Sequence, residues 1–361
     1  MQGQTVIIAE AGVNHNGNPD FAFKLVDVAA RADANIVKFQ TFKTENLLTK
    51  KAKKAAYQLS ATDASESQFT MLQKLELSRK THRELVEYCY KKEIQFLSTA
   101  FDEESIHFLV NDLGLCTLKI PSGELTNGPL LLKFGQTGCD LILSTGMATL
   151  GEIEEALSVI AFGLMNGTDS SALPSRAAFL SGYASQDGQQ LLREKVTLLH
   201  CTTEYPAPMQ DINLNAVKTL KRSFGLKVGF SDHSQGTVPS IAAAAIGASI
   251  IEKHFTLDKK LPGPDHRASL EPDDLFDMVA AVRTVEKIMG DGIKRPMPPE
   301  LANRLVARKS LVANTAIKKG EIFNENNIAI KRPGTGRSPM EYWDLMSQKS
   351  IRNCQPDDII N

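Results

Sequence analysis

The chain has 361 residues, 42% of them hydrophobic and 23% charged, as is ordinary for a globular protein. Its formal net charge of −1 gives no electrostatic reason to expect nucleic acid or an anionic membrane as a partner. The longest apolar run, residues 241–251, is too short to span a bilayer. Five scattered cysteines without a C-x-x-C pair, and an N-terminus without a secretory pattern, predict reduced thiols and a cytoplasmic location.

Short β-branched runs alternate with amphipathic stretches through the first four fifths of the chain. Strands are predicted at Val6–Ala9, Ile36–Phe39, Phe96–Ser98, Leu118–Ile120, Leu141–Leu143, Val196–Leu199, Val228–Phe230 and Ile250–Ile251. The stretches between them have helical spacing, with predicted helix starts at Asp20, Thr81 and Thr149. This alternation predicts an α/β protein with a (β/α)8 TIM barrel. A doubly wound open sheet is disfavoured because no glycine-rich dinucleotide loop follows the first strand.

Two stretches depart from the alternating pattern. Residues 163–195 are too long for a simple loop, and we expect a surface excursion near the substrate mouth, with one helix close to Gln186–Arg193. Residues 290–300 are rich in glycine and proline, which is typical of a linker. The short runs and turns beyond them predict a small, mainly β domain. The predicted domains are therefore 1–289 and 301–361.

Chemically active side chains follow every predicted strand of the barrel. The carboxyl ends of parallel strands meet on one face, and ligands bind there in barrels of this type. Eight strand ends that are each followed by such side chains therefore predict an active site on that face. Its candidate residues include Glu10, Lys38, Gln40, Thr99, Lys119, Ser122, Glu124, Ser144, Tyr205, Ser231, His233, Glu252 and His254.

Two histidines stand at matching positions after neighbouring strands. His233 follows the seventh strand beside Asp232, and His254 follows the eighth beside Glu252. Two imidazoles with adjacent carboxylates predict a divalent metal with open coordination positions. A hydrogen-bonded structural histidine is the competing interpretation of each.

The same face carries groups suited to an anionic substrate. Lys38 and Lys119 come from separate strands but project into one mouth. They are accompanied by four hydroxyl side chains, those of Thr99, Ser122, Ser144 and Ser231. This set predicts a pocket for a small phosphorylated acid, with salt-bridged barrel lysines as the alternative. Glu10 and Glu124 supply carboxylates able to position or deprotonate a water.

Several motifs, in this order, resemble the sialic acid (N-acetylneuraminate) synthase family. They are residues 8–17 (IAEAGVNHNG), 37–41 (VKFQT), 119–124 (KIPSGE), 143–147 (LSTGM), 230–233 (FSDH) and 252–256 (EKHFT). Residues 308–313 (RKSLVA) and 331–336 (KRPGTG) resemble that family's C-terminal antifreeze-like (SAF, β-clip) domain. The resemblance covers nearly the whole chain apart from residues 163–195.

The resemblance implies a transferase that joins phosphoenolpyruvate to an N-acylated mannosamine-type sugar such as N-acetylmannosamine. C3 of phosphoenolpyruvate attacks the open-chain aldehyde, water adds at C2, and phosphate leaves, which gives a nine-carbon 2-keto sugar acid. A divalent metal, Mn²⁺ or Mg²⁺, is implied at His233 and His254, and Glu10 and Glu124 match candidates for handling the water. The positions that match phosphoenolpyruvate contacts are Lys38, Thr99, Lys119, Ser122, Ser144 and Ser231. Those that match contacts near the sugar are Gln40, Tyr205, Glu252 and Asp265.

The resemblance also implies a domain-swapped homodimer. In that arrangement the antifreeze-like domain of one chain covers the barrel mouth of the other, and an arginine reaches the N-acyl group of the sugar. Arg332 is the best match for this arginine, with Lys331 and Arg337 close by. Such a lid would exclude water from an intermediate prone to hydrolysis.

The chain departs from a plain N-acetylneuraminate synthase after the sixth strand. Thr203 stands where an asparagine is expected, so one contact to phosphoenolpyruvate is in question. Residues 204–208 (EYPAP) and 262–266 (PGPDH) are more similar to the legionaminic acid branch, whose acceptor is a 2,4-diacetamido-2,4,6-trideoxymannose. An N,N'-diacetyllegionaminate synthase is therefore the alternative function.

Two other classes of protein compete with a synthase. A metal-dependent barrel hydrolase usually has a His-x-His pair after the first strand, whereas residues 14–16 (NHN) supply one histidine. An ice-binding or interaction module is suggested by the C-terminal resemblance alone. It does not explain the chemically active side chains on the barrel face. Phosphate release from phosphoenolpyruvate and a sugar separates the synthase from both.

Overall fold

A computed structural model describes residues 4–55, 59, 62, 66–169 and 171–361 of the chain. The protein consists of two compact units, Met1–Gly290 and Asp291–Asn361. Each unit has a hydrophobic core of its own. Among the described residues, every helix is too short or too polar to cross a lipid bilayer.

The first unit is a closed barrel of eight parallel strands, which confirms the predicted TIM barrel. The strands are β1 Val6–Gly12, β2 Ile36–Thr41, β3 Gln95–Ala100, β4 Thr117–Ile120, β5 Asp140–Ser144, β6 Val196–Cys201, β7 Lys227–Asp232 and β8 Ile250–His254. β1 pairs with β2 on one side and with β8 on the other, so Glu10 lies opposite both Lys38 and His254. The ring is complete, and neither end strand is left as an edge.

Helices surround the barrel and bury their apolar faces against it. They are α1 Pro19–Arg31, α2 Thr44–Leu47, α3 Gln68–Gln73, α4 Arg79–Lys91, α5 Glu103–His107, α6 Gly128–Gln136, α7 Leu150–Asn166, α8 Arg176–Ala184, α9 Gln186–Lys195, α10 Asn215–Phe224, α11 Val238–Ala245 and α12 Pro272–Met289. A π-helical turn, Phe108–Asp112, continues α5. The main core lies between this outer layer and the strands.

The barrel interior is built in layers because side chains alternate in direction along each strand. One layer is apolar and consists of Ile8, Ile36, Leu97, Ile142, Leu199 and Ile250. Two residues further along five of these strands, on the same side, stand polar groups: Glu10, Lys38, Thr99, Ser144 and Glu252. The apolar layer thus forms a floor that supports a polar layer at the carboxyl ends.

The excursion predicted at residues 163–195 is helical and packed. α8 and α9 both contact α7, and the rings of Phe162 and Phe179 meet edge to face with centroids 5.2 Å apart. The expectation of a helix near Gln186–Arg193 matches α9, whereas α8 was not expected. The expected position near the substrate mouth was wrong, because none of the excursion's described residues lines the large cavity at the barrel mouth.

The second unit contains α13 Pro298–Ala307, β9 Ser310–Ala313, β10 Ile328–Lys331 and α14 Tyr342–Leu345. β9 and β10 form an antiparallel pair, and isolated bridges tie β9 and the following turns to residues 349–359. Leu311, Ile317 and Ile328 are central to its small core. The last three residues of the predicted linker, 298–300, form the first turn of α13, because prolines suit the start of a helix.

Candidate active site

A cavity of about 280 Å³ opens at the carboxyl ends of the strands. Since strand order brings these ends together, residues far apart in the chain line one space. The structure places the following predicted site residues in its wall: Glu10, Lys38, Gln40, Thr99, Lys119, Ser122, Ser144, Tyr205, Ser231, His233, Glu252, His254 and Asp265.

Two predicted site residues are not in this wall. Glu124 ends a 3-10 turn, Ser122–Glu124, and its carboxylate accepts a hydrogen bond from the Asn127 side chain at 2.7 Å. The placement of Glu124 in the site is therefore not supported, because the turn directs its side chain to the start of α6. Arg332 belongs to the second unit and is exposed.

A buried cluster of two lysines and two glutamates forms the charged centre of the cavity. Lys38 Nζ lies 2.6 Å from Glu10 Oε2 and 3.6 Å from Glu252 Oε2, and it donates to Thr99 Oγ1 at 2.8 Å. Lys119 Nζ donates to Glu252 Oε1 at 3.2 Å. The four charged residues are 1–4% exposed. Each buried lysine is thus paired with at least one carboxyl group, as buried charges require.

The two glutamates titrate differently because their surroundings differ. Burial raises the pKa of Glu10 to about 7. The positive charge of Lys38 lowers this pKa, and the negative charge of Glu252 raises it further. Burial also acts to raise the pKa of Glu252, but Lys119 and Lys38 outweigh it and hold that pKa below its usual range. Burial lowers the pKa of Lys119. Near neutral pH, Glu252 is therefore ionised while Glu10 can gain or lose a proton.

Hydroxyl groups surround these charges. Ser231 Oγ donates to Glu252 Oε1 at 2.7 Å. Thr203 Oγ1 lies 3.4 Å from Ser122 Oγ and lines the cavity. A Cβ at Gly146 would come within 2.1 Å of Thr203 Oγ1, so glycine is required for this close approach. Thr203 therefore supplies a hydroxyl to the cavity where an asparagine amide is expected in a plain N-acetylneuraminate synthase.

His233 and His254 face the same space, with ring centroids 5.7 Å apart. Burial lowers the pKa of His233 to about 4 and that of His254 well below its usual range, so both rings are neutral at pH 7. The His233 Nδ1–H donates to the Thr202 carbonyl at 2.7 Å, so Nε2 carries the lone pair. Ser231 Oγ lies 3.3 Å from this Nε2 but donates its hydrogen to Glu252. His254 Nδ1 has no hydrogen-bond partner among the described residues. Tyr205 packs against His233 with centroids 4.2 Å apart.

These two imidazoles fit a metal that keeps open coordination positions. A buried nitrogen without a partner, as at His254, is a group that a bound cation would satisfy. The part of the chain that the structure describes has no group of three or more His, Cys, Asp or Glu side chains arranged to hold a metal ion. The remaining ligands of a metal here would therefore be water or substrate oxygens.

An ion pair outside the cavity holds the ends of β7 and β8 together. Lys253 Nζ lies 3.0 Å from Asp232 Oδ2 and donates to the Ser234 carbonyl at 2.6 Å. Asp232 also accepts from the hydroxyls of Ser234 and Ser240, at 2.6 and 2.7 Å. Each member of the pair precedes one of the histidines of the site. The network therefore fixes the backbone that carries both imidazoles.

Sequence analysis missed the apolar part of the cavity. Val13, Phe42, Leu47, Leu72 and Phe101 line it on the side of β1, β2 and β3. Two of them stand on the short helices α2 and α3, whose position cannot be read from strand spacing. The only available indication was the apolar character of these residues within a segment that follows a strand end.

Comparison with known proteins identifies the family. A model of the NeuB family matches residues 25–294. The chain is 50% identical over 357 residues to an N,N'-diacetyllegionaminic acid synthase of Campylobacter jejuni subsp. jejuni, with 99% of each chain covered. It is 41% identical to a Legionella pneumophila protein of the same name, with 96% of this chain and 90% of that one covered.

A solved structure extends this similarity. The N-acetylneuraminic acid (sialic acid) synthetase of Leptospira borgpetersenii, crystallised in complex with citrate, is 32% identical and superposes with a TM-score of 0.66. The match covers 83% of this chain and 90% of the other. Sequence identity over nearly the whole chain and the superposed structure agree on the family. The chain belongs to the NeuB family of sialic acid synthases, in its legionaminic acid branch.

Proposed function

We propose that this protein condenses phosphoenolpyruvate with 2,4-diacetamido-2,4,6-trideoxymannose and releases phosphate and a nine-carbon 2-keto sugar acid. The observation that carries the chemistry is the buried Lys38–Lys119 pair, set among hydroxyls at the barrel's carboxyl face. Similarity supports the acceptor, because identity is 50% to a legionaminic acid synthase and 32% to a sialic acid synthetase. N-acetylmannosamine is the second candidate acceptor.

The lysines and hydroxyls suit phosphoenolpyruvate. Its phosphate and carboxylate need cations, and Lys38 and Lys119 are held in the cavity by Glu10 and Glu252. The hydroxyl donors for the remaining oxygens are Thr99, Ser122, Ser144 and Ser231. Because these groups are already ordered by the strands, binding requires little further loss of side-chain entropy.

A divalent metal is part of the proposal. His233 and His254 would hold it, and imidazole ligands favour Mn²⁺ over Mg²⁺, which prefers oxygen. When bound, such a metal polarises a carbonyl oxygen as a Lewis acid. Gln40, Tyr205, Glu252 and Asp265 would orient the sugar so that its aldehyde carbon faces C3 of phosphoenolpyruvate.

Glu10 is the proposed residue for proton transfer from water. The electron pair of the C2–C3 double bond of phosphoenolpyruvate forms the new bond from C3 to the aldehyde carbon, and the carbonyl π bond breaks so that the aldehyde oxygen takes up a proton from solvent and becomes a hydroxyl. Water then adds at the electron-deficient C2. The proton lost by this water passes to the Glu10 carboxylate, whose pKa of about 7 suits a base at neutral pH. Phosphate then leaves from C2, and the 2-keto group forms.

The proposal includes a cytoplasmic homodimer. All five cysteines are free thiols, as expected for a reducing compartment. In the second unit, Lys331 is paired with Asp357 and Arg337 with Glu341. Arg332 is exposed, which favours it as the arginine that an antifreeze-like lid would present to a partner's barrel.

Phosphate release by the purified protein tests this function. Phosphoenolpyruvate and Mn²⁺ are supplied with either the trideoxy sugar or N-acetylmannosamine. We expect release with both and a higher kcat/KM for the trideoxy sugar. Chelation should stop release, and added Mn²⁺ should restore it. Preference for N-acetylmannosamine would overturn the acceptor, and release with neither sugar would overturn the synthase assignment.

A further inference from the structure

The cavity has two chemically different sides. The strand ends provide lysines, glutamates, histidines and hydroxyls. A second set of lining residues, Val13, Phe42, Leu47, Leu72 and Phe101, here called the apolar wall, follows β1, β2 and β3 and contributes no polar side chain to the space. The catalytic mechanism proposed above involves no residue of this wall.

The apolar wall is a cluster separate from the main barrel core. Val13 and Phe42 are buried together with Leu75, and Leu47, Leu72 and Phe101 pack against them while remaining partly exposed. The rings of Phe42 and Phe101 meet edge to face, with centroids 6.0 Å apart. Packing behind the wall therefore holds its exposed side chains in place, and their free surface faces the cavity.

An apolar surface discriminates between the two candidate acceptors. The trideoxy sugar has a methyl group at C6 and an acetamido methyl at C4, where N-acetylmannosamine has hydroxyls. Burying a methyl against apolar side chains is favourable. Burying a hydroxyl there removes its hydrogen bonds to water without replacing them. The C2 acetamido group is common to both sugars and contributes nothing to the choice.

The orientation that the reaction requires places the C4–C6 end of the sugar, where the two candidate acceptors differ, away from the charged centre. The aldehyde carbon must lie beside the lysines and histidines for the reaction to occur. The C4–C6 end of the open chain then points toward the rest of the cavity lining. Phe42 and Phe101 follow the ends of β2 and β3 directly, and Leu47 and Leu72 stand on helices of the same connection.

We propose that the apolar wall is the specificity determinant for the deoxygenated, 4-acetamido end of the acceptor, with Leu47 and Leu72 as its contacting residues. This inference rests on the proposed function. It adds that the choice of sugar is made by apolar contact on the β1–β3 side of the cavity. It assigns no catalytic role to these leucines.

The test replaces the wall leucines by glutamine of similar length. Leu47→Gln and Leu72→Gln are compared with Leu48→Gln, which changes the partly buried neighbour of Leu47 outside the cavity lining. For each protein, kcat/KM is measured by phosphate release with both sugars, along with the KM for phosphoenolpyruvate. Thermal unfolding by circular dichroism confirms that each variant is folded.

We expect the wall variants to lower kcat/KM for the trideoxy sugar by at least roughly 10-fold, since one methylene in an apolar pocket changes it roughly 10- to 200-fold. The kcat/KM for N-acetylmannosamine should not fall, because a glutamine amide can hydrogen-bond the hydroxyls that an apolar wall leaves unpaired. The KM for phosphoenolpyruvate should stay near wild type. Leu48→Gln should leave the ratio between the sugars unchanged.

Other outcomes contradict the inference in distinguishable ways. A wild-type preference for the trideoxy sugar that survives in both wall variants would overturn the role of the wall and leave the proposed function standing. Equal losses for both sugars would also overturn it, because the wall would then contact only what the sugars share. Failure of the wild-type protein to use either sugar would overturn the proposed function and this inference together.

Discussion

Asp265 is a buried carboxylate in the cavity wall, and burial raises its pKa to about 6, against the attraction of Lys38. Below pH 4 the group is protonated in both the folded and the unfolded protein. Between pH 4 and 6 it ionises in the unfolded chain first, so the folded state binds more protons and loses stability as the pH rises. Above pH 6 the carboxylate is ionised in both states, and its burial lowers the free energy of unfolding by about 3 kcal/mol.

We therefore expect Asp265→Asn to become more stable than wild type as the pH rises from 4 to 6, with the difference constant above that range. Thermal unfolding of both proteins at half-unit pH steps, without substrate or metal, measures this difference in stability. A difference in Tm that does not change with pH would contradict the raised pKa.

At the scale of single residues, the period of two along a strand made most of the site predictable. Lys38, Lys119 and Ser231 project inward because of their position on a strand, and the cavity contains all three. Strand position does not determine the direction of Glu124, because it stands four residues after β4 at the end of a 3-10 turn. Leu72 could not be predicted, since its approach to the cavity depends on the course of a connection far from its strand.

Among the elements, α6 and α7 approach unusually closely through two glycines. A Cβ on Gly163 would lie 2.9 Å from both the Gly135 Cα and the Leu132 carbonyl oxygen. Gly151, in the first turn of the same helix, has no such neighbour; the nearest atom to its Cβ would be 4.0 Å away. The two positions therefore separate the effect of packing from that of helix propensity.

We expect Gly163→Ala to destabilise the protein by about 1–3 kcal/mol through overpacking. Gly151→Ala should instead stabilise it by up to about 1 kcal/mol, because alanine is the better helix former. Chemical denaturation of the two variants and the wild type gives both values. A neutral or stabilising Gly163→Ala would show that the helices separate without cost, which contradicts the close packing.

Helix starts show why local patterns are only partly informative. The helix start predicted at Thr149 is confirmed, since Thr149 is the N-cap of α7 and forms a capping box with Glu152. The starts predicted at Asp20 and Thr81 were wrong, because Asn18 and Ser78 occupy the N-cap positions slightly earlier. Several Ser, Thr, Asp and Asn residues stand near each start, and tertiary packing decides which of them caps the helix.

For the whole molecule, the proposed swapped dimer makes a prediction about mixtures. His254→Ala disables the barrel, and Arg332→Ala disables the lid, so we expect each homodimer to be impaired. A mixed dimer would contain one site with an intact barrel from one chain and an intact arginine from the other. Co-expression of the two variants should therefore restore phosphate release.

The control is co-expression of His254→Ala with His233→Ala, whose mixed dimers have no intact barrel. Light scattering during size exclusion establishes the number of chains in each preparation. A dimer without restored activity would mean that each arginine serves its own barrel, and a monomer would rule out the dimer itself.

Closure of the barrel has a consequence for how the protein is made. β1 emerges first from the ribosome, but its second partner, β8, ends at His254. Until then the growing sheet keeps two unpaired edges, which are templates for association with other chains. Pairing across so long a stretch of sequence is also slow. The barrel is thus completed in a late step of synthesis, and nascent chains that stall before β8 are the forms most exposed to aggregation.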